Sequence, residues 1–266
     1  MGKGLKVFLA ILVCLIAACV VVYFVKPDLF KFGKEKEEEV SETLKKEISE
    51  KVSLVLSKGE SSSEQEADTA YLGYGVDSLK YDDTAKLQTA LAAAKKRYMT
   101  SEDAAKLSSL IKEKYGDVNL VGNYYVIDAK DVATMYKTIF GGEVKHASID
   151  GLNTCPIYRY DSNASMYIVD NACGRGLAPI ILFAKENYKL VNDKVVVTVK
   201  VGTYEYETGK LYKGVGVNGS LISKPAIENA DDLKSLINTN KNSFETYKLT
   251  FAKNGDTYVF DNIAKA

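Results

Sequence analysis

An uninterrupted apolar run, Val7–Val25, is the feature that most constrains this chain. As a helix it would be about 28 Å long, which matches the hydrocarbon core of a bilayer. The run carries no charge, and Lys3, Lys6 and Lys26 bracket it. The sequence therefore predicts a transmembrane anchor over residues 1–26 that holds the rest of the chain at a membrane.

Two forms of this anchor fit the residues. One is a signal anchor that stays uncleaved. The other is a lipoprotein signal, because Ile16–Cys19 has an aliphatic residue and two small residues before a cysteine, which makes Cys19 a lipidation candidate. The apolar segment Val20–Val25 favours the uncleaved helix, since it would be costly in water after cleavage.

The side of the membrane on which the C-terminal domain lies is inferred from the cysteines. Lysines flank both ends of the apolar run, so they do not fix its orientation. Cys155 and Cys173 are the only cysteines outside the run. An isolated pair favours an extracytoplasmic disulfide worth about 3 kcal/mol, with two unpaired buried thiols as the alternative. We expect a single-pass protein of the cell membrane with an extracellular C-terminal domain.

Composition argues against several kinds of partner. The chain has 35 basic and 35 acidic residues, so it has no net field that would attract nucleic acid. His146 is the sole histidine, and no thiol-rich ligand set exists outside the apolar run, which argues against a metal centre. We expect no cofactor, no metal and no nucleic-acid partner.

Short motifs give no catalytic residue. The glycine-rich segment Cys173–Gly176 leads into a predicted strand rather than a helix, which favours a tight loop over an anion site. A nucleophile pair of His146 with either Cys155 or Cys173 is a remote alternative to a packing histidine. The turns at Asp161–Asn163 and Asn254–Asp256 lack the acidic oxygens of a calcium loop, and turn chemistry explains them.

Residues 27–68 predict a charged helix followed by a polar linker. Apolar residues recur there at spacings of three and four: Val40, Leu44, Ile48, Val52 and Val55. The stripe indicates either a coiled-coil stalk or a single helix lying on its own domain or on the membrane. Barely three heptads are present, which favours the single helix. Gly59–Asp68 reads as the linker.

Residues 69–266 predict helices first and strands afterwards. The apolar spacing and capping residues indicate helices over Thr84–Tyr98, from a Thr100 cap with Asp103 to Gly116, from Asp128 to Phe140, and over Asp231–Ile237, with a strand at Val118–Ile127. Alternating segments indicate three hairpins, with turns at Asp161–Ala164, Val191–Asp193 and Asn254–Gly255, and a bulge at Gly202. This order predicts an α+β fold in which helices cover one face of an antiparallel, curved sheet.

Tyrosines are the candidate ligand surface. Of the 18 tyrosines, several lie on the predicted strands, and five of these are the candidates: Tyr158, Tyr160, Tyr167, Tyr204 and Tyr206. Tyrosines lining a concave sheet can stack on a sugar or grip a peptide. The alternative is that aromatic residues simply suit strands and sheet faces.

Four segments together resemble a known group of proteins. They are the helix end Phe140–Gly142, the hairpin strand Tyr158–Asp161, the loop Cys173–Gly174 and the closing hairpin Tyr247–Phe260. They are similar to uncharacterised membrane-anchored or lipoprotein domains of low-GC Gram-positive bacteria, over about residues 120–266. The order of elements also resembles cystatin/NTF2-like α+β folds, in which a curved sheet wraps a helix. The resemblance implies no particular activity.

These observations predict a membrane-anchored, extracytoplasmic binding or interaction module of the cell envelope, with an envelope protein or glycan as partner. An envelope hydrolase or isomerase that uses paired carboxylates is one alternative. A cytoplasm-facing adaptor tethered to the membrane is another. The sequence leaves the ligand and the oligomeric state open.

Overall fold

The computed structural model describes residues 37–57, 69–71, 82–149, 156–170, 179–225 and 230–266. The helices are α1 (Glu42–Ser57), α2 (Asp83–Ala93), α3 (Ser101–Lys106), α4 (Ser108–Tyr115), α5 (Ala129–Phe140) and α6 (Ala230–Asn240). The strands are β1 (Glu37–Glu39), β2 (Thr69–Tyr71), β3 (Arg97–Tyr98), β4 (Tyr125–Asp128), β5 (Ile157–Asp161), β6 (Met166–Asp170), β7 (Ile180–Val191), β8 (Lys194–Glu205), β9 (Lys210–Lys213), β10 (Leu221–Ser223), β11 (Glu245–Asn254) and β12 (Thr257–Lys265). The α+β prediction is confirmed.

Several predicted features lie outside the described residues. These are the apolar run Val7–Val25, the lipidation candidate Cys19, the disulfide candidates Cys155 and Cys173, and the linker Gly59–Asp68. Across the part of the chain that the structure describes, no helix is both long enough and apolar enough to cross a bilayer.

The chain divides into two compact units, Met1–Glu38 and Glu39–Ala266. The second unit contains the helices α1–α6 and two antiparallel sheets. Its larger sheet has the order β2-β7-β8-β11-β12, and β9 and β10 extend from the far half of β8. Its smaller sheet has the order β3-β4-β6-β5. The prediction of a single sheet is wrong, because β4 pairs with β3 and β6 and these strands form a second sheet with β5.

Helix α1 packs on the larger sheet. Its buried residues Ile48, Val52, Val55 and Leu56, with Val40 just before the helix, lie in one cluster with the valines of β8 and with aromatic residues of β7, β11 and β12. Along β8 the residues that face α1 alternate, as a sheet covered by a helix requires. The folded unit therefore begins at Glu39 rather than at residue 69. Helix α1 therefore lies on its own domain, the alternative favoured over a coiled-coil stalk in the sequence analysis, and its apolar side chains pack within the same chain.

Polar contacts at the edge of the larger sheet also hold α1 in place. The buried Lys51 donates to Glu47 Oε1 at 2.7 Å and to Thr257 Oγ1 at 2.8 Å, and it also donates to the carbonyl of Tyr258. Because β12 is the last strand of this sheet, the lysine covers part of its open edge.

Both faces of the smaller sheet are covered. Val126 and Ile168 pack against α3 and α4, and Ile127 and Val169 pack against α2 and α5. Helix α5 follows β4 directly and ends at Gly141, whose φ of 77° is left-handed and whose N–H donates to the Lys137 carbonyl at 2.9 Å. The expectation that helices cover one face only does not hold for this sheet.

The local predictions hold best where turn chemistry is explicit. The three predicted hairpins are present as β5–β6, β7–β8 and β11–β12, and Asn192 and Asp193 both have the positive φ of a type I′ turn. The helix predicted to run to Tyr98 ends at Ala93, because Arg97 and Tyr98 pair with β4. The strand predicted at Val118–Ile127 is limited to β4.

Gly202 is not a bulge. It pairs in register with Leu182 on one side and with Lys213 on the other, and the bulge in this hairpin falls on β7 between Lys185 and Asn187. A Cβ at Gly202 would lie 2.5 Å from Cε1 of Phe244. The glycine therefore provides the space that the buried Phe244 ring occupies.

Candidate functional site

The polar cleft is a cavity of about 470 Å³ at one end of the smaller sheet, between β3, α3, the end of β4 and the β5–β6 turn. We use this name for the space lined by Arg97, Asp103, Lys106, Asp128, Asn163, Ala164 and Met166. Pairing of Asp128 with Met166 brings the end of β4 beside the start of β6, which places residues distant in sequence around one opening.

A capping box positions the buried acid of the cleft. Thr100 caps α3, and the Asp103 N–H donates to Thr100 Oγ1 at 3.2 Å. In return, Asp103 Oδ2 accepts from the Thr100 N–H at 2.9 Å and from the Thr100 hydroxyl at 2.7 Å. Arg97 completes the arrangement, since its Nη1 donates to Oδ2 and its Nη2 donates to Oδ1 at 2.9 Å.

These bonds leave Asp103 little capacity for proton transfer. Its carboxylate is buried, and the Arg97 guanidinium is the largest of the influences that hold its pKa far below the usual range. Because the charged form is this strongly favoured, Asp103 stays ionised at any physiological pH. It is therefore a fixed structural anion that orients Arg97 toward the cleft.

Asp128 is the more accessible acid. Its side chain is 32% exposed, and its Oδ1 lies 3.4 Å from Arg97 Nη2, a long contact. It occupies the N-cap position of α5 but makes no capping bond, and the Ala129 N–H donates to the Ser165 carbonyl instead. The carboxylate is consequently available to a ligand in the cleft.

The turn between β5 and β6 forms the opposite wall. Asp161 Oδ1 accepts from the backbone N–H groups of Asn163 and Ala164, each at 2.9 Å, which fixes the turn. Asn163 is exposed at the mouth of the cleft, and Ala164 and the buried Met166 contribute an apolar wall.

The tyrosine candidates do not form one ligand surface. Tyr158 and Tyr167 are buried in the smaller sheet and Tyr204 in the larger one. Tyr160 is half-buried on the smaller sheet, and Tyr206, predicted on a strand, is half-buried in the turn that follows β8. The structure thus brings the five together in two separate groups. Tyr158, Tyr160 and Tyr167 share the face packed against α5, and the Tyr204 and Tyr206 rings contact each other with centroids 5.1 Å apart.

His146 packs against these tyrosines. Its ring is stacked on Tyr160, with centroids 5.1 Å apart, and its Nδ1 lies 2.9 Å from the Tyr167 hydroxyl. Burial lowers the pKa of His146 and raises that of Tyr167. The histidine is therefore a packing residue on the tyrosine face, which is the interpretation favoured from the sequence.

An exposed tyrosine pair lies at the edge of the smaller sheet. Tyr98 is 58% exposed and stacks on Tyr125 with centroids 4.5 Å apart, and their hydroxyls are hydrogen-bonded at 2.8 Å. Neither residue is among the five candidates: Tyr98 falls at the end of a predicted helix, and Tyr125 lies on the strand predicted at Val118–Ile127.

Sequence reasoning missed the cleft. Thr100 and Asp103 were recognised only as a helix cap, and Asp128 only as a helix start. The one available signal was the scarcity of arginine, which makes Arg97 stand out. No group of three or more His, Cys, Asp or Glu suited to a metal occurs among the residues whose positions are described.

No protein-family model, curated protein or solved structure matches this chain. The resemblance to membrane-anchored domains of low-GC Gram-positive bacteria, and the similarity to cystatin/NTF2-like folds, therefore stay predictions.

Proposed function

We propose that this protein is a membrane-tethered binding module whose folded unit, Glu39–Ala266, takes a small polar ligand in the polar cleft. The observation that carries the proposal is the division of labour between the two acids of the cleft. Asp103 is saturated by Arg97 and Thr100, whereas Asp128 keeps an accessible carboxylate. A rigid charged frame with one open acceptor is suited to holding a ligand.

The cleft gives less support to the alternative of an envelope enzyme with paired carboxylates. Such chemistry needs one acid that is protonated and one that is ionised near neutral pH. The pKa of Asp103 is shifted in the opposite direction from that of a general acid, and its oxygens already accept four hydrogen bonds. Binding is therefore the function that this geometry favours.

The tether and its orientation rest on the sequence. The apolar run Val7–Val25 supports attachment to a membrane, and the isolated pair Cys155 and Cys173 supports an extracellular position for the folded unit. An impermeant maleimide applied to intact cells, with and without reductant, tests this part. Labelling of these cysteines only after reduction, on protein that external protease reaches, is the expected result. Free thiols protected until lysis would place the module on the cytoplasmic side.

Binding is tested with the full chain in detergent micelles by saturation-transfer NMR against a panel of sugars, amino acids, nucleosides and phosphates. Asn163→Trp places a large ring at the mouth of the cleft without entering the core, since Asn163 is exposed. Ser162→Trp is the matched control, because Ser162 is an exposed residue of the same turn that does not line the cleft. We expect at least one compound whose signal is lost in Asn163→Trp and retained in Ser162→Trp. A panel with no such compound contradicts the proposal.

A further inference from the structure

We infer that the ligand of the polar cleft is a zwitterion, an amino acid or short peptide with a free amine and a free carboxylate, and this inference rests on the proposed binding function. The charged groups of the cleft are two cations, Arg97 and Lys106, and two anions, Asp103 and Asp128. One cation and one anion of this set neutralise each other within the protein. What remains for a ligand is one charge of each sign.

The internal pair is Arg97 with Asp103. The two-point contact and the additional bonds from Thr100 fix both side chains, and Asp103 is only 4% exposed. A ligand gains little by competing for Arg97, although this side chain is 39% exposed, because it would have to replace a bidentate contact to a buried carboxylate. Arg97 and Asp103 therefore form part of the frame.

Asp128 is the group that would receive the ligand's amine. Within the described residues its carboxylate approaches Arg97 Nη2 at 3.4 Å, and its side chain is 32% exposed. A carboxylate in this condition gains a charge-assisted bond when an ammonium group binds. The neighbouring Arg97 guanidinium repels any additional positive charge, which favours a ligand with a single amine.

Lys106 is the group that would receive the ligand's carboxylate. Its partner is Glu102, at 2.7 Å, but the two side chains are 53% and 78% exposed. Exposed pairs of this kind contribute little to stability, so Lys106 can exchange Glu102 for a ligand at small cost. The hydrogen bond with Glu102 raises the pKa of Lys106 above an ordinary value that is already basic, so the ammonium is charged near neutral pH with or without Glu102.

The rest of the lining fits a ligand with amide or small apolar parts between its two ends. Asn163 offers a side-chain amide at the mouth, and Ala164 and Met166 provide an apolar wall. The volume of about 470 Å³ lies within the range of small-molecule sites. A purely anionic ligand would face Asp128, and a purely cationic one would face Arg97 and Lys106.

The test measures the affinity of the full chain in detergent micelles for L-alanyl-L-alanine, for its N-acetylated form, for its C-terminal amide and for glucose. Blocking either end is expected to weaken binding by about tenfold or more, which is the worth of one charge-assisted bond. Asp128→Asn should weaken binding of the free dipeptide to the same extent, without further weakening binding of the acetylated form. Lys106→Gln should likewise weaken binding of the free dipeptide without further weakening binding of its C-terminal amide.

Two exposed or half-exposed residues outside the cleft serve as matched controls, Asp131→Asn on α5 and Lys112→Gln on α4. Equal affinity for free and blocked dipeptides, or for the wild type and Asp128→Asn, overturns the inference. If glucose or a phosphate binds, Asn163→Trp abolishes that binding and no dipeptide binds, then the zwitterion inference is overturned while the proposed function stands. Absence of any cleft ligand overturns both.

Discussion

Arg97 and Asp103, six residues apart, form a two-point ion pair in which Arg97 Nη2 lies 2.9 Å from Asp103 Oδ1. The pair joins strand β3 to the first turn of α3, because Asp103 is also the third residue of the capping box. It therefore does two things at once. It fixes the short connection between β3 and α3, and it holds the Arg97 guanidinium at the wall of the cleft.

Removal of the Asp103 charge is expected to destabilise the protein in a pH-dependent way. Asp103→Asn should lower the free energy of unfolding at pH 7 by about 2–3 kcal/mol, since the two-point contact with Arg97 and half of the capping box are weakened. The folded-state pKa of Asp103 is depressed, so its contribution is present above about pH 4, where the unfolded carboxyl is ionised, and is lost as the pH falls further.

Urea denaturation at pH 7 and pH 3 checks this expectation. The difference between the wild type and Asp103→Asn should shrink at pH 3. Asp117→Asn, an exposed acid in the loop after α4, provides the control and should behave as the wild type does. A difference that is equal at both pH values would mean that the charge of Asp103 contributes nothing.

The packing of α1 on the larger sheet predicts a large effect at Ile48. The side chain is fully buried, so Ile48→Ala should lower the free energy of unfolding by about 2–5 kcal/mol. Lys46→Ala, on the exposed side of the same helix, should change it by no more than about 0.5 kcal/mol. Chemical denaturation measures both. Equal, small effects of the two variants would contradict the packing of α1 on the sheet.

The close approach of Phe244 to Gly202 predicts a coupling between the two positions. Gly202→Ala places a methyl group 2.5 Å from the ring and should cost about 1–3 kcal/mol through overpacking. In the double variant with Phe244→Leu the two costs should not add, because the smaller side chain leaves room for the methyl group. Gly142→Ala is the control, since its nearest contact would be an ordinary 3.9 Å. Additive free energies in the cycle would contradict the steric explanation.

The sole histidine predicts a titration that one NMR resonance can follow. Burial lowers the pKa of His146, so its midpoint in the folded protein should lie below 6.5 and return to about 6.5 in urea. The sign for stability follows: below pH 6.5 the unfolded chain takes up a proton more readily, and stability falls as the pH falls. His146→Gln should remove this part of the pH dependence between pH 5 and 7. A folded-state midpoint at or above 6.5 would show that the stacked ring is not desolvated.

The sequence by itself determined the local elements whose signals are local. The Thr100–Asp103 spacing gives the capping box, the apolar residues from Leu44 to Val55 give one face of α1, and the turn residues Asn192 and Asp193 give a hairpin. Each depends on residues within one or two turns of each other, so hydrogen-bonding capacity and periodicity suffice to predict it.

Only the tertiary structure decided what these elements pack against and where the site lies. The pairing of β4 with β6 sets Asp128 beside Met166 and divides the strands into two sheets. Packing of this sheet against α5 buries Tyr158 and Tyr167, which the sequence offered as surface candidates, whereas Tyr98 lies on the edge strand β3 and is exposed. Strand alternation is equally compatible with either face of a strand being buried. The register between β4 and β6, which are about 40 residues apart, is set by long-range packing. No local sequence pattern could therefore predict the polar cleft.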